Sequence, residues 1–184
     1  MTRPRSRPAS RGARPRSART KIVSRRRARE LVRRAQSRSE RVVFTSGCFD
    51  LLHVGHVRSL EAARRRGERL VVGVNSDTSV RRMKGPERPI VSARRRAEVL
   101  AALACVDWVV VFPEATPRRI LGELRPDVYA KGGDWPLAVL RAQDLPPGFA
   151  GRVVRLRQVP GVRTTRIVAR VRRNAAAAGS VSSG

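Results

Sequence analysis

His53 and His56 are the whole histidine complement of a 184-residue chain, and they stand three residues apart around Gly55. They close the stretch Ser46-Gly47-Cys48-Phe49-Asp50-Leu51-Leu52-His53-Val54-Gly55-His56. Imidazoles beside a helix N-terminus suit a polyanion. The helix end offers unpaired N–H groups and a positive dipole end, and the rings donate further hydrogen bonds to phosphate oxygens. Gly55 carries no side chain, so a base or phosphate can approach the backbone there. The pattern points to a nucleotide-phosphate site.

The cations around it divide by type. Lys21, Lys84 and Lys131 are the only lysines among 41 Lys and Arg residues. Lys84 and Lys131 each precede a glycine in an expected loop, where a flexible ammonium can follow moving phosphate charge. Arg88, Arg96 and Arg119 are further anion-binding candidates, because a guanidinium fork matches phosphate. Gly161-Val162-Arg163-Thr164-Thr165 is a glycine turn feeding a Thr-capped helix, a second anion site by the same logic. Asp50, Asp77 and Asp134 are candidates to hold a ribose, orient a histidine or help place Mg²⁺. Asp50 and Asp77 suit turn-forming roles equally well. Cys48 reads as a small residue whose backbone matters. No Ser/His/Asp or Cys/His arrangement for nucleophilic catalysis is present, and Cys48 and Cys105 form no metal or disulfide pattern.

The elements that must position these residues follow from periodicity. Arg41 to Thr45 is an apolar first strand, and Val57 to Arg66 a first helix stopped by Gly67. Leu70 to Val74 is apolar on both faces, as a buried parallel strand should be. Residues 78–91, broken by Gly85, Pro86 and Pro89, read as a basic loop. Ser92 opens a helix through Leu103, Val106 to Phe112 is a strand, and Thr116-Pro117 opens a helix ending before Pro126. Asp127 to Ala130 is a fourth strand delivering Lys131-Gly132-Gly133-Asp134-Trp135. Residues 136–150 read as irregular, Arg152 to Val159 as a fifth strand, and Thr164 or Thr165 caps a last helix to about Arg173. Strands alternating with helices predict an α/β fold with a doubly wound, parallel, five-stranded sheet. Ligands bind beyond the carboxyl ends of such strands, where the candidate residues gather. No G-x-G-x-x-G follows the first strand and no P-loop is present, which argues against a nicotinamide enzyme and a P-loop kinase.

Composition sets the frame. Hydrophobic residues make up 41% and aromatics 4%, so the core is expected to be Val, Leu, Ala and Ile. No apolar run approaches a membrane span and no signal-peptide core follows the start, so a cytoplasmic protein without membrane contact is expected. The net charge of +27 is uneven: residues 1–40 hold fifteen of the 41 cationic residues and two of the 14 acids, Glu30 and Glu40. Residues 1–40 therefore read as a basic extension, disordered to about residue 20, with a short helix from Ser24 to Ser37. Residues 41–173 read as the catalytic domain and 174–184 as a flexible tail. The basic extension admits weak nucleic-acid binding through phosphate contacts, or simple solubilisation.

Gly47 to His56, with Gly161 to Thr165 as a late glycine-threonine motif, resembles the cytidylyltransferase-like nucleotidyltransferases. Within them the chain is most similar to the D-glycero-β-D-manno-heptose 1-phosphate adenylyltransferase domain, through Val74 to Asp77, Lys84-Gly85, Arg88-Pro89, Val106 to Val109, Thr116-Pro117 with Arg119, and Lys131 to Trp135. The resemblance covers about residues 41–173. It implies a Rossmann-like fold of the H-x-G-H type. It also implies attack of a sugar phosphate on the α-phosphate of ATP, with Mg²⁺ bound to the nucleotide and pyrophosphate released. His53 and His56 would contact the triphosphate and stabilise the transition state. Cys48 and Phe49 would offer backbone contacts, with Gly55, Gly161 and Arg163 also at the nucleotide. Thr164 and Thr165 would bind the β- and γ-phosphates. Lys84, Arg96, Arg119 and Lys131 would contact phosphate or sugar phosphate, with Asp50 and Asp134 near the acceptor; Lys84 and Lys131 join the histidines as catalytic candidates. A homodimer is admitted.

Two departures bear on the acceptor and the late motif. Arg163 stands where the family usually has Ser, and Arg141-Ala142-Gln143-Asp144 where heptose enzymes usually show Gly-Ala-Asp-Glu. The alternatives are a glycerol-3-phosphate cytidylyltransferase-like enzyme using CTP, and, from another class, a nucleic-acid-binding protein on a retired nucleotidyltransferase fold.

Overall fold

The computed structural model describes residues 17–133, 135–157 and 164–181. Five parallel strands form one sheet: β1 (Val42–Gly47), β2 (Arg69–Asn75), β3 (Trp108–Phe112), β4 (Val128–Gly132) and β5 (Arg152–Leu156), in the order β3-β2-β1-β4-β5. This is the doubly wound parallel sheet expected from the alternation of elements. The chain builds outward from β1 through β2 to β3, then returns to β4 on the other side of β1. The reversal leaves a crevice between the carboxyl ends of β1 and β4, the place where such sheets take ligands. Register is in phase, with Gly47 beside Val74 and Phe44 beside Tyr129.

Helices cover both faces. α2 (Val54–Arg64) and α4 (Ala93–Ala101) bury Leu60, Ala63, Ala97, Leu100 and Ala101 against Val43, Leu70, Val72 and Val109. α1 (Arg25–Gln36) and α5 (Arg118–Leu124) bury Ala28, Val32, Ile120 and Leu121 against Val42, Phe44, Val71 and Phe112. Gly73 is required on that second face: a Cβ there would lie 2.7 Å from Phe44 Cζ and 3.1 Å from Phe112 Cε1. Aliphatic residues fill the core, as the composition predicts, and Phe44, Phe112 and Tyr129 add rings. No helix among the described residues is long and apolar enough to cross a membrane.

Several elements depart from the sequence reading. Residues 17–40 are packed onto the sheet. Ser24 caps α1 by accepting from the Arg27 N–H at 3.2 Å, and Ala28, Val32 and Ala35, spaced along one face, enter the core. Ahead of α1, Ile22 pairs with Val109 as an isolated parallel bridge, and Lys21 Nζ donates to the carbonyls of Leu103 at 3.2 Å and Val106 at 2.8 Å. The basic segment expected as a loop contains α3 (Asp77–Lys84), capped by Ser76 and ended by Gly85 at φ +96°. The glycine and prolines that suggested a loop all lie beyond its last turn. α2 begins at Val54, because His53 already takes the N-cap conformation. Within the stretch read as irregular, α6 (Leu137–Gln143) inserts Leu140 into the core. α7 (Thr164–Val181) continues past Arg173 into the expected tail. Residues 1–16, Asp134, residues 158–163 with Gly161 and Arg163, and residues 182–184 lie outside the described residues.

Candidate active site

A cleft of about 320 Å³ opens at the switch point. The ends of β1 and β4 supply Ser46, Gly47 and Gly132, and the following loop supplies Cys48, Phe49 and Asp50. The first turns of α2 supply His53, Gly55, His56 and Ser59; Lys84 comes from the end of α3, and Thr164 and Thr165 from the start of α7. The structure thus brings together nine candidates from distant parts of the sequence: Cys48, Phe49, Asp50, His53, Gly55, His56, Lys84, Thr164 and Thr165. Arg157 and Ser59 also line the cleft and were not singled out from the sequence.

The two imidazoles are held as a stack. Their centroids are 3.8 Å apart with planes 18° from parallel, and the Phe49 ring meets His56 edge-on at 5.2 Å. Phe49 adopts φ +47°, a left-handed conformation that a bulky residue takes only where its surroundings fix it. Gly47 permits this, since a Cβ there would crowd the Phe49 ring at 3.2 Å. Burial lowers the His53 pKa. His56 is pushed down to about 4, first by burial, then by the charges of His53 and Lys84. Both rings are therefore neutral at pH 7, each with one N–H to donate. Their Nδ1 atoms are buried without a protein hydrogen bond. Such unpaired groups are costly and concentrate where a ligand acts. His53 caps α2 without a side-chain bond, so the helix end keeps N–H groups free for an anion.

Two candidates brace the loops. Arg96 is 2% exposed. It donates to the carbonyls of Cys48, Val91 at 2.8 Å and Asn75 at 2.9 Å, and to Asp77 Oδ1 at 2.7 Å. Asp50 Oδ1 accepts the N–H groups of Ile90 at 2.8 Å and Val91 at 3.0 Å. Arg88 Nε stands 2.6 Å from Asp50 Oδ2, an ion pair without hydrogen-bond angles. Asp50 and Arg96 together tie the loop after β1 to the loop before α4. Four of the five guanidinium N–H groups of Arg96 go to protein acceptors, and the buried side chain is not part of the cleft lining.

Two others do not reach the cleft lining. Arg119 lies on the outer side of α5, paired with Glu123 at 3.0 Å and Glu114 at 3.7 Å. Lys131 Nζ donates to Asp144 Oδ2 at 3.0 Å, and the same oxygen accepts the Tyr129 hydroxyl at 2.6 Å. Asp144, read from the sequence as one residue of a departure, is a buried anchor joining α6 to β4. Residue type alone did not show which cations the fold uses internally. Arg157 was hidden because the sequence reading runs the fifth strand to Val159; β5 ends at Leu156, which puts Arg157 at the strand end where ligands bind.

The sequence pattern of the cytidylyltransferase-like family matches residues 44–170, most of the chain. The chain belongs to the cytidylyltransferase-like family. Among its relatives is the bifunctional protein HldE of Syntrophotalea carbinolica, 49% identical over 152 residues that cover 83% of this chain and 31% of the relative. The bifunctional protein HldE of Magnetococcus marinus is 50% identical over 151 residues, covering 82% of this chain and 31% of the relative. This cytidylyltransferase-like chain spans about a third of the length of the curated relatives it matches. A solved structure, that of the lipopolysaccharide core biosynthesis protein from Thermoplasma volcanium, superposes with a TM-score of 0.57 at 27% identity, covering 65% of this chain and 98% of that one.

Proposed function

We propose that the chain transfers an adenylyl group from ATP to a sugar phosphate of the heptose 1-phosphate type, releasing pyrophosphate. The observation that carries this reading is the stacked pair of neutral imidazoles at the α2 N-terminus, facing a cleft that also holds Lys84, Thr164 and Thr165. Family membership supports a nucleotidyl transfer, and the resemblance to the heptose 1-phosphate adenylyltransferase domain supports an adenylyl donor and a phosphorylated acceptor. The likeness to a lipopolysaccharide core biosynthesis protein supports a sugar acceptor.

In this reading an oxygen of the acceptor's phosphate attacks the α-phosphorus. The new O–P bond forms as the bond to the bridging oxygen of pyrophosphate breaks, and that oxygen leaves with the electron pair. No covalent enzyme intermediate is needed, so catalysis is positioning plus charge stabilisation. His53 and His56 donate N–H bonds where negative charge grows on the α-phosphoryl group. The α2 N-terminus adds its free N–H groups, and Lys84 brings a mobile cation. Thr164 and Thr165 hold the β- and γ-phosphates; the resemblance assigns Gly161 and Arg163 to the same nucleotide. The backbone of Cys48 and Phe49 receives the nucleotide, and Gly55 lets it approach. The resemblance assigns Asp134 to the acceptor side, whereas Lys131, its ammonium held by Asp144, stays out of the cleft lining. Asp50, already engaged by two N–H groups and Arg88, braces the loop. Mg²⁺ bound with the nucleotide would supply charge neutralisation during transfer; the described residues offer no carboxylate, histidine or cysteine cluster of their own to hold it.

The test is pyrophosphate release with ATP or CTP against a panel of phosphorylated acceptors that includes heptose 1-phosphate and glycerol 3-phosphate. ATP with a sugar 1-phosphate is the expected pair. Preference for CTP with glycerol 3-phosphate would replace the proposal with the cytidylyltransferase reading, and no turnover from folded protein with any pair would end both. His56→Ala should lower turnover by about 10²-fold or more, the usual effect of removing a donor to developing charge.

A further inference from the structure

We propose that Arg157 is the cation that holds the departing pyrophosphate, an inference that rests on the nucleotidyl-transfer reading above. A triphosphate brings several negative charges into the cleft, and cations must meet them along its length. Both lining histidines are neutral, their pKa values lowered chiefly by burial. Arg96 is enclosed by four protein acceptors, Arg119 is paired outside on α5, and Lys131 is held by Asp144. Among the described residues lining the cleft, the cations are Lys84 and Arg157.

These two stand on opposite sides. Lys84 ends α3, which follows β2; Arg157 follows β5, and the sheet order puts β1 and β4 between β2 and β5. Arg157 is exposed and makes no salt bridge or side-chain hydrogen bond with the described residues. It shares its side of the cleft with Thr164 and Thr165, which open the element after β5. A planar fork beside two hydroxyls fits the oxygens of a diphosphate. As the bond between the α-phosphorus and the bridging oxygen breaks, negative charge moves onto the pyrophosphate, toward Arg157. Lys84 remains on the acceptor side. The two cations thus divide the reaction: one for the incoming phosphate, one for the leaving group.

The experiment compares Arg157→Gln and Arg157→Lys with wild type and with Arg65→Gln, which removes one exposed charge at the far end of α2. Inorganic pyrophosphate and ATP are the binding probes, read by calorimetry, and the thermal midpoint checks folding. Arg157→Gln should weaken pyrophosphate and ATP binding by about 10–100-fold, the equivalent of one charge-assisted hydrogen bond. The acceptor's KM should stay unchanged, Arg157→Lys should recover part of the loss, and Arg65→Gln should bind as wild type. Folded Arg157→Gln that binds pyrophosphate and ATP as wild type overturns the proposal, as does an equal loss in Arg65→Gln. If wild type binds pyrophosphate through Arg157 but turns over no acceptor, the transfer reading fails and the assignment of Arg157 stands.

Discussion

The guanidinium of Arg96 donates to the backbone carbonyl of Cys48, forty-eight residues earlier in the chain. The same side chain bonds Asp77 Oδ1 at 2.7 Å, so one buried cation fixes the loop after β1 to the start of α3. The loop after β1 gains its shape from α4, an element that contributes no side chain to the cleft lining.

Arg96→Ala should therefore act on stability before it acts on binding. It strands Asp77 and three carbonyl oxygens around a buried void. Removing one partner of a buried charge pair costs about 3–5 kcal/mol. Urea unfolding measures this directly. A variant with wild-type stability and a raised KM alone would return Arg96 to the role of substrate contact.

His56 makes stability depend on pH in a defined direction. Its folded pKa of about 4 lies below the ordinary 6.5. Between those values the unfolded chain binds the proton more readily, so stability is full above about 6.5 and falls as the pH drops toward 4. His53, also lowered, adds in the same sense. Unfolding free energies measured from pH 4 to 7 should show this slope in wild type and a shallower one in His56→Gln. NMR of the ring should show the midpoint near 4 rising when ATP is added; a midpoint at 6.5 without ligand would contradict the neutral stack.

The Asp144 cluster predicts unequal losses from its members. Burial and the Asp144 charge raise the Tyr129 pKa, so its hydroxyl stays protonated and donates. Tyr129→Phe removes one bond and leaves Asp144 with Lys131, an expected cost of about 1–2 kcal/mol. Asp144→Ala strands both the hydroxyl and the ammonium, an expected cost of about 3–5 kcal/mol. Chemical denaturation of the two variants gives the comparison, and equal losses would show that the cluster does not act as a unit.

Gly73→Ala tests the packing beneath the site. The added methyl would meet Phe44 and Phe112 at distances that force one ring to move. Overpacking of this kind costs about 1–3 kcal/mol. The thermal midpoint should fall, while the His53–His56 stack, on the opposite face of the sheet, should keep its NMR signature.

The legible part of this protein was the part whose signals are local. β1, the turn and the His53–His56 pair sit within fifteen residues, so strand, glycine and histidine spacing could be read together. β2 announced itself by Leu70 to Val74, apolar on both faces. α3 was hidden because its outward residues, Arg81, Arg82 and Lys84, resemble a loop in a chain this basic, while Val80 supplies little apolar stripe. α6 was hidden because Leu140 is its one buried residue. In the site, Lys84 and Thr164 were found by motif, whereas Arg96 and Lys131 were assigned outward roles although their charges are engaged within the protein. A cation's partner depends on tertiary neighbours such as Asp77 and Asp144, which spacing does not reveal. Arg157 was lost among similar arginines for the same reason.

The pairing of Ile22 with Val109 has a practical consequence for where this folding unit begins. The family pattern starts at residue 44, beyond both Ile22 and α1. A chain trimmed at Arg41, just ahead of β1, would lose α1 from over Phe44 and Ile120, and would release the outer backbone groups of β3. An apolar face and an open strand edge are the two features that let one sheet recruit another. Such a trimmed chain is expected to self-associate, visibly so by light scattering, where the longer chain does not. Residues 22–35 thus cover an apolar face and a strand edge that lie open once the chain is cut back to Arg41.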